Sequence, residues 1–224
     1  MKVEQSHVLV TGAARGIGRA IAQELVRKGA KVTLTDVDVG LGPIGLFHEV
    51  DPDTDERGLA VNLHGVLNGM RVALPGMLAR GRGHIVNVAS GAAFLAVPGG
   101  VSYAAAKAGV RSATESVRVE YRGSGLGFTG VYPGFIDTSI IAGTRPPKLF
   151  PPVPPEVLGR AVVRAVERGK PDVFVPRMMR AIAYQTLLGR RARYALNHAV
   201  GLHSAFVNPD EAARASYNER MRSC

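Results

Sequence analysis

Residues 7–18 read HVLVTGAARGIG, and this stretch decides the fold. The first four residues are typical of a strand, and Gly16 and Gly18 open a helical pattern that continues through Ile21 and Leu25. A strand, a glycine-rich turn and a helix start, in that order, form the setting of a dinucleotide-binding loop. The glycines let the backbone approach a pyrophosphate, and the helix N-terminus supplies amide donors and a favourable dipole.

A second strand pattern supports this interpretation. Residues 32–35 are β-rich and are followed by Asp36, which lies eighteen residues after Gly18. An acid at about 20 residues beyond such a loop accepts from a ribose hydroxyl and repels a 2′-phosphate. Asp36 therefore favours NAD over NADP, although Arg15 could accept a phosphate. The alternative is a glycine-rich turn of any α/β protein.

A second informative stretch is YAAAK at residues 103–107, with Ser90 thirteen residues upstream. Tyr103 and Lys107 share one face of a helix. A cation beside a phenol, together with a helix N-terminus, favours the phenolate, so we expect a lowered pKa for Tyr103. Ser90 could then orient a carbonyl or alcohol oxygen. Most Tyr-x-x-x-Lys pairs are simply solvated helix faces. A catalytic interpretation of this pair therefore depends on the cofactor-loop pattern at residues 7–18.

Together these stretches resemble the short-chain dehydrogenase/reductase family, from about residue 7 to about residue 176. Thr11-Gly12-x-x-x-Gly16-Ile17-Gly18 is similar to the family's cofactor loop, and Pro133-Gly134-Phe135-Ile136-Asp137-Thr138 is similar to its nicotinamide carboxamide loop. Asn62, Ser90, Tyr103 and Lys107 resemble its catalytic set.

The resemblance implies a fold, a reaction and a role for each matching residue. The fold is an α/β, single-domain, Rossmann-like doubly wound sheet that is mostly parallel, with C-terminal helices. The reaction is hydride transfer between a nicotinamide and a secondary alcohol or ketone, in which Tyr103 is the acid/base, Lys107 lowers its pKa, Ser90 orients the substrate and Asn62 holds a water. The implied cofactor-binding residues are Gly12, Arg15, Gly16, Ile17, Gly18, Asp36, Asn62, Tyr103, Lys107, Pro133, Gly134, Ile136 and Thr138.

One departure from the family pattern lies between Asp36 and Asn62. The family places two further strand–helix units there and ends its fourth strand in Asn-Asn-Ala-Gly, which this chain lacks. Since one βαβ unit takes roughly 30 residues, the sequence predicts fewer strands than the family's seven. The strand ending at Ser90 then either pairs directly with the first strand or leaves a gap. The alternative function is a non-catalytic, shortened family member that acts through dimerisation or basic-surface binding.

The remaining patterns place these residues in one domain over residues 1–224, with a cofactor-loop half (1–36), a connector (37–50), a catalytic half (51–176) and C-terminal helices (177–224). Asp51 signals the start of a long helix over 56–80 that Pro75 should kink, and Ser102 should cap a helix to residue 122. The family associates through these two long helices, so the resemblance implies a homodimer or homotetramer. Further strands are predicted at 84–88, 128–132 and 173–175, and further helices at 157–168, 178–199 and 209–221.

Composition limits the class of protein. The chain has 224 residues, 46% of them apolar, with a single cysteine at position 224, which excludes an internal disulfide. Without a signal peptide or a membrane-length apolar run, a cytoplasmic protein is the simplest expectation. The histidines show no metal-ligand spacing, so no metal is expected.

The net charge of +10 concentrates at residues 177–193, which carry five arginines and no acid. Such a stretch could be a lid or core element, a peripheral membrane surface or a nucleic-acid surface, and no nucleic-acid motif accompanies it. The resemblance places a substrate lid near residues 143–155. The apolar residues there and in the C-terminal helices indicate an apolar substrate: Ile140, Ile141, Leu149, Phe150, Met178, Met179 and Leu187.

Overall fold

The computed structural model describes residues 3–4, 6–11, 16–35, 42–207 and 209–223. The predictions for Gly12, Arg15 and Asp36 lie outside the described residues.

The described elements alternate between strands and helices. The strands are β1 (His7–Thr11), β2 (Lys31–Thr35), β3 (Gly83–Val88), β4 (Leu126–Pro133) and β5 (Asp172–Val175). The helices are α1 (Gly16–Arg27), α2 (Pro52–Leu59), α3 (Gly65–Ala79), α4 (Val101–Glu120), α5 (Pro155–Glu167), α6 (Met179–Tyr184), α7 (Arg190–Ala199) and α8 (Glu211–Ser223).

The five strands form one parallel sheet in the order β2-β1-β3-β4-β5. The prediction of a mostly parallel sheet is confirmed, and among the described residues the sheet has five strands, fewer than seven as predicted. β1 pairs directly with β3, at Leu9 and Ile85, so the sheet closes where the sequence predicted missing units. The order reverses between β1 and β3, and ligands of open α/β sheets bind at the carboxyl ends of strands at such a point.

Helices cover both faces of the sheet. On one face, α1 and α5 bury Leu25 and Val162 against the sheet. They approach so closely that a Cβ atom at Gly159 would lie 2.6 Å from the Ala20 carbonyl oxygen. On the other face, α3 and α4 bury Met70 and Val110. Side chains alternate across a strand, and neighbouring residues of β4 therefore reach opposite cores.

The helix predicted over 56–80 begins earlier and is not uniform. Asp51 caps α2, its Oδ2 accepting from the Thr54 amide at 2.9 Å, which confirms the predicted start signal. A π-helical turn at Ala60–His64 carries Asn62 and joins α2 to α3. The helix then runs through Pro75 to Ala79.

Two local predictions are wrong. Ser102 does not cap α4, because Gly100 is the N-cap residue and the Ser102 hydroxyl donates to Asp55 of α2 instead. The helix predicted over 178–199 is broken into α6, a 3₁₀ turn at Gln185–Leu187 and α7. Gly189, just after the 3₁₀ turn, precedes the first residue of α7 as its N-cap residue.

Candidate active site

A cavity of about 360 Å³ opens at the carboxyl ends of β3 and β4 and beside the start of α1. It joins the start of α1, the loop after β3, the first turns of α4 and the loop after β4. These segments are far apart in the chain, and the parallel sheet brings them to one edge. The predicted site residues that line the cavity are Gly16, Ile17, Gly18, Ser90, Tyr103, Lys107, Pro133, Gly134, Ile136 and Thr138.

Ser90 and Tyr103 lie together in this cavity. Ser90 follows the end of β3, and its Oγ accepts from the Ala92 amide at 3.1 Å. The Ser90 side chain is also hydrogen-bonded to Tyr103, which sits in the first turn of α4. The serine is therefore held by its own loop while it contacts the phenol, and a substrate oxygen could sit between the two hydroxyls.

Lys107 is buried one turn further along α4. Its Nζ lies 5.7 Å from the centre of the Tyr103 ring and donates to the Val88 carbonyl oxygen at 3.2 Å. Burial lowers the pKa of Lys107 to about 8, because the charged ammonium loses water contacts.

The expectation of a lowered Tyr103 pKa is wrong for this structure. Burial raises the pKa of Tyr103 to about 12, and the hydrogen bond from Ser90 opposes that rise only in part. Loss of hydration of the phenolate outweighs the favourable groups, and burial acts on Lys107 as well. The site as it stands holds the proton on Tyr103.

Asn62 is fully buried in the π-helical turn. Its Nδ2 donates to the Gly58 carbonyl oxygen at 2.8 Å. The turn packs closely on α4, where a Cβ atom at Gly109 would lie 3.0 Å from Leu63. Within the described part of the chain, Asn62 stands behind the cavity rather than among the residues that line it.

The start of α1 fits a dinucleotide cradle. Gly16 has a φ of 49°, and a Cβ atom there would lie 3.1 Å from the Thr138 methyl carbon. A side chain at position 16 would therefore be strained and would fill the space between the two predicted cofactor loops. Backbone amides at a helix N-terminus, with no side chain in front of them, are what a phosphate requires.

The inner part of the cavity is apolar, and part of its lining was not anticipated. Four of the predicted substrate residues, Ile140, Ile141, Phe150 and Met179, line it. The other three, Leu149, Met178 and Leu187, are exposed instead. The lining also includes Leu95, Val97, Phe135, Leu202, Phe206, Gly42 and Tyr217, several of which come from loops or the C-terminal segment without any periodic signal.

Among the described residues, no helix is long and apolar enough to cross a membrane. Across that same part of the chain, no three His, Cys, Asp or Glu side chains come together as a metal site.

The fold and the cavity together define a Rossmann-like α/β protein in which Ser90, Tyr103 and Lys107 line one cavity at the switch point of the sheet. The family description "short chain dehydrogenase" matches residues 6–39 and 36–148, and the chain belongs to that family. The two matched segments meet at residues 36–39, where the sequence predicts missing units.

Several proteins of similar sequence are named as oxidoreductases or dehydrogenases. The oxidoreductase named SadH of Mycobacterium tuberculosis is 30% identical over 233 aligned residues, covering 75% of this chain and 84% of the relative. The 2-(R)-hydroxypropyl-CoM dehydrogenase of Xanthobacter autotrophicus is 37% identical over 54% of this chain and 50% of its own length. The chain spans only 32% of another relative, the oxidoreductase named EphD of Mycobacterium bovis.

Solved structures agree with the fold. A short chain dehydrogenase from Burkholderia cenocepacia in complex with NADP superposes with a TM-score of 0.76 at 26% identity, covering 89% of this chain and 99% of that one. A Burkholderia phymatum family member in complex with NAD gives a TM-score of 0.70 at 20% identity, over 94% and 98% of the two chains.

Proposed function

We propose that the protein is a nicotinamide-dinucleotide-dependent oxidoreductase that interconverts a secondary alcohol and a ketone. The observation that carries this proposal is the single cavity that joins the Gly16–Gly18 helix start to Ser90, Tyr103 and Lys107. The net charge of +10 also favours an anionic cofactor, since it raises the local concentration of such a ligand.

Each residue has a defined part in this proposal. A bound dinucleotide would supply or accept the hydride. Tyr103, which holds its proton in this site, would donate it to a ketone oxygen, and the Ser90 hydroxyl would orient that oxygen. Lys107 would contact the nicotinamide ribose, and Asn62 would support α4 and hold a water on the proton path to Lys107.

The loops on either side would hold the cofactor. Gly12, Gly16, Ile17 and Gly18 would cradle the pyrophosphate, and Pro133, Gly134, Ile136 and Thr138 would hold the carboxamide. We propose NAD over NADP on the basis of Asp36, with Arg15 as the counter-indication. Solved relatives are found with either cofactor, so competition between NADH and NADPH is the measurement that decides.

An apolar alcohol or ketone is the substrate class that the cavity favours. Phe135, Phe150 and Met179 are buried around the inner cavity, where a hydrocarbon body would contact carbon atoms while its oxygen reaches Ser90 and Tyr103. Rates of NADH oxidation with ketones of increasing chain length test this class. A preference for short polar ketones contradicts it.

Titration of the protein with NADH, followed by cofactor fluorescence, tests the main proposal. We expect saturable binding, and Gly16→Ala should weaken it at least tenfold because the new methyl group meets Thr138. Gly81→Ala is the matched control, since Gly81 has a φ of 62° and open space around its Cβ position. No saturable binding by the wild-type protein at millimolar NADH would instead support the shortened, non-catalytic class.

Homo-oligomer formation through the long helices is a second proposal. Val72 of α3 and Val119 of α4 are 81% and 72% exposed, so both are free to contact a second copy of the chain. Sedimentation of the wild-type protein and of Val72→Glu, Val119→Glu should show a dimer or tetramer that the charged variant loses. A monomeric wild-type protein would remove this proposal.

The basic stretch over 177–193 supports peripheral contact with an anionic membrane as a further candidate. Leu187 is 83% exposed and Leu188 is also exposed, and only Gly189 separates them from Arg190 and Arg191. Apolar side chains beside arginines suit a lipid headgroup boundary.

Co-sedimentation with vesicles containing phosphatidylserine tests this contact. We expect salt-sensitive binding that falls when Arg190, Arg191 and Arg193 are changed to glutamine. The same charge loss at Arg80, Arg82 and Arg122 should leave binding unchanged. Equal losses in both sets would indicate only a general charge effect and would contradict a membrane surface at 177–193.

A further inference from the structure

Arg214 of α8 is a buried cation in the C-terminal helix, with 1% of its surface exposed. Its guanidinium donates to backbone carbonyl oxygens of two separate segments. One segment is the loop after β4, where Nη1 reaches the oxygens of Ile140 at 3.2 Å and Ala142 at 2.9 Å. The other is the connector over residues 37–50, where Nη2 donates to the Gly42 oxygen.

Tyr217 lies one turn after Arg214 on α8. Its ring centre is 4.3 Å from the Arg214 guanidinium carbon, and its hydroxyl oxygen accepts from the Gly42 amide at 2.8 Å. Both polar backbone groups of Gly42 are therefore bonded to side chains of α8. In a parallel sheet, a neighbouring strand supplies partners of this kind.

Gly42 is close to the catalytic phenol. A Cβ atom at Gly42 would lie 3.9 Å from Tyr103 Cδ2 and 3.8 Å from an Ile140 side-chain carbon. Gly42 and Tyr217 both line the cavity, and the connector is where the sequence lacks two strand–helix units.

Other contacts hold the loop after β4 to the C-terminal segment. The Asp210 amide donates to the Gly143 oxygen at 2.8 Å, and the Arg145 amide donates to the Ala205 oxygen at 3.1 Å. A guanidinium presents five donors in a rigid planar fork, which suits it to join two chain segments at once. Burial of such a charge is tolerated only where its donors are satisfied.

We infer that Arg214 and Tyr217 form a clamp that replaces the support of the missing strand–helix units and holds Gly42 against the Tyr103 wall of the cavity. They are positioning residues that act through Gly42. The inference rests on the proposed dinucleotide-dependent function, because the clamp keeps the cofactor side of the cavity in shape. The sequence predicted a helix over 209–221 but gave no signal for its contact with Gly42.

The first test measures hydrogen exchange of the Gly42 amide by NMR in cofactor-free protein. Tyr217→Phe removes one hydroxyl and keeps the ring, so the fold should survive. We expect the Gly42 amide to exchange at least tenfold faster in this variant, while Tyr194→Phe, a change at an exposed tyrosine of α7, has no effect. Equal exchange rates in the wild-type and Tyr217→Phe proteins would overturn the clamp.

The second test measures NADH affinity of the same proteins together with Arg214→Met and Arg214→Lys. We expect Tyr217→Phe to weaken NADH binding about tenfold, Arg214→Met to weaken it further, and Arg214→Lys to fall between Arg214→Met and the wild type. Arg168→Met, a change at an exposed arginine after α5, should bind as the wild type does. Thermal unfolding of each variant separates a loss of affinity from a loss of fold.

The two tests separate the clamp from the proposed function. If the wild-type protein binds NADH and the folded clamp variants bind it equally well, the positioning role is refuted. If the wild-type protein fails to bind NADH, the proposed function falls and the positioning role falls with it, while the Gly42 exchange rates still decide whether the clamp itself exists.

Discussion

At the residue scale, Tyr103 shows how burial and charge compete. The i, i+4 spacing with Lys107 is visible in the sequence, and the structure confirms that the two side chains lie together. The direction of the pKa shift was not visible, because it depends on how much water the fold removes from the phenol. Burial raises the pKa of Tyr103 to about 12, so the phenol keeps its proton at neutral pH.

Tyr103→Phe should abolish turnover while leaving NADH affinity within about twofold of the wild type. The substitution removes the transferable proton but keeps the ring, and loss of a general acid costs about 10²–10⁴-fold in rate. NADH oxidation with the fastest ketone found for the wild type is the measurement, and Tyr194→Phe is the control. Unchanged turnover in Tyr103→Phe would refute the assigned acid.

His84 gives a pH dependence of stability. It is buried in β3, where its Nε2 lies 2.8 Å from the Thr129 hydroxyl, and burial lowers its pKa to about 4 from 6.5. Because the folded-state pKa is depressed, the unfolded chain binds a proton first as the pH falls. The stability contribution is therefore present above pH 6.5 and is lost as the pH falls through 4.

Urea unfolding at pH 7, 5.5 and 4 should show that the wild type loses up to about 3 kcal/mol more than His84→Gln across this range. The glutamine keeps a polar group near Thr129 but does not titrate, so carboxylates elsewhere affect both proteins alike. Parallel losses of stability in the two proteins would contradict the assignment to His84.

At the element scale, local sequence signals decided some helix ends and tertiary contacts decided others. Asp51 with Pro52 marks a helix start that depends only on neighbouring residues, and the structure confirms it. The Ser102 signal was equally clear in sequence, yet α2 lies alongside and Asp55 takes the hydroxyl. A serine hydroxyl bonds the best acceptor within reach. The acceptor here, Asp55, is 47 residues away in the chain, so the sequence around Ser102 does not reveal it.

Gly159 is the element-scale prediction. Gly159→Ala should lower the free energy of unfolding by about 1–3 kcal/mol, because the methyl group meets the Ala20 carbonyl and forces α1 and α5 apart. The intrinsic gain in helix propensity, about 1 kcal/mol, opposes this loss.

Urea unfolding measures both this variant and Gly65→Ala, a change at an exposed glycine of α3 where the nearest atom to the added methyl group is the Ala60 carbonyl oxygen at 3.8 Å. The control should be as stable as the wild type or up to about 1 kcal/mol more stable, because alanine favours the helix and meets only an ordinary contact. A stabilised Gly159→Ala protein would show that the helices adjust at no cost.

At the scale of the whole molecule, the central question was whether the sheet closes without the missing units. Among the described residues, β1 pairs with β3 only at Leu9 and Ile85, whereas β3 and β4 pair over six residues. The closure brings Gly16 and Thr138 into contact across the cavity, so the cofactor side and the catalytic side meet.

The stabilisation of the folded protein by bound NADH tests this closure in the intact protein. NADH at about 100 times its dissociation constant should stabilise the folded state by about 2.7 kcal/mol. For a domain of this size, that shift raises the melting temperature by roughly 5–10 °C. Differential scanning fluorimetry with and without NADH is the measurement, and Gly16→Ala at the same NADH concentration should show a smaller rise. A large, equal rise in both proteins would mean that NADH binds elsewhere.

The sequence by itself determined the family, the parallel α/β class, and the Ser90, Tyr103 and Lys107 set, because each rests on short-range spacing along a strand, a turn or one helix face. Only the tertiary structure decided that β1 meets β3, that burial raises the pKa of Tyr103, and that Arg214 and Tyr217 of α8 reach Gly42. These outcomes depend on groups brought together from distant parts of the chain, and on water excluded where they meet. Neither the long-range contacts nor the exclusion of water produces a periodic pattern in the sequence.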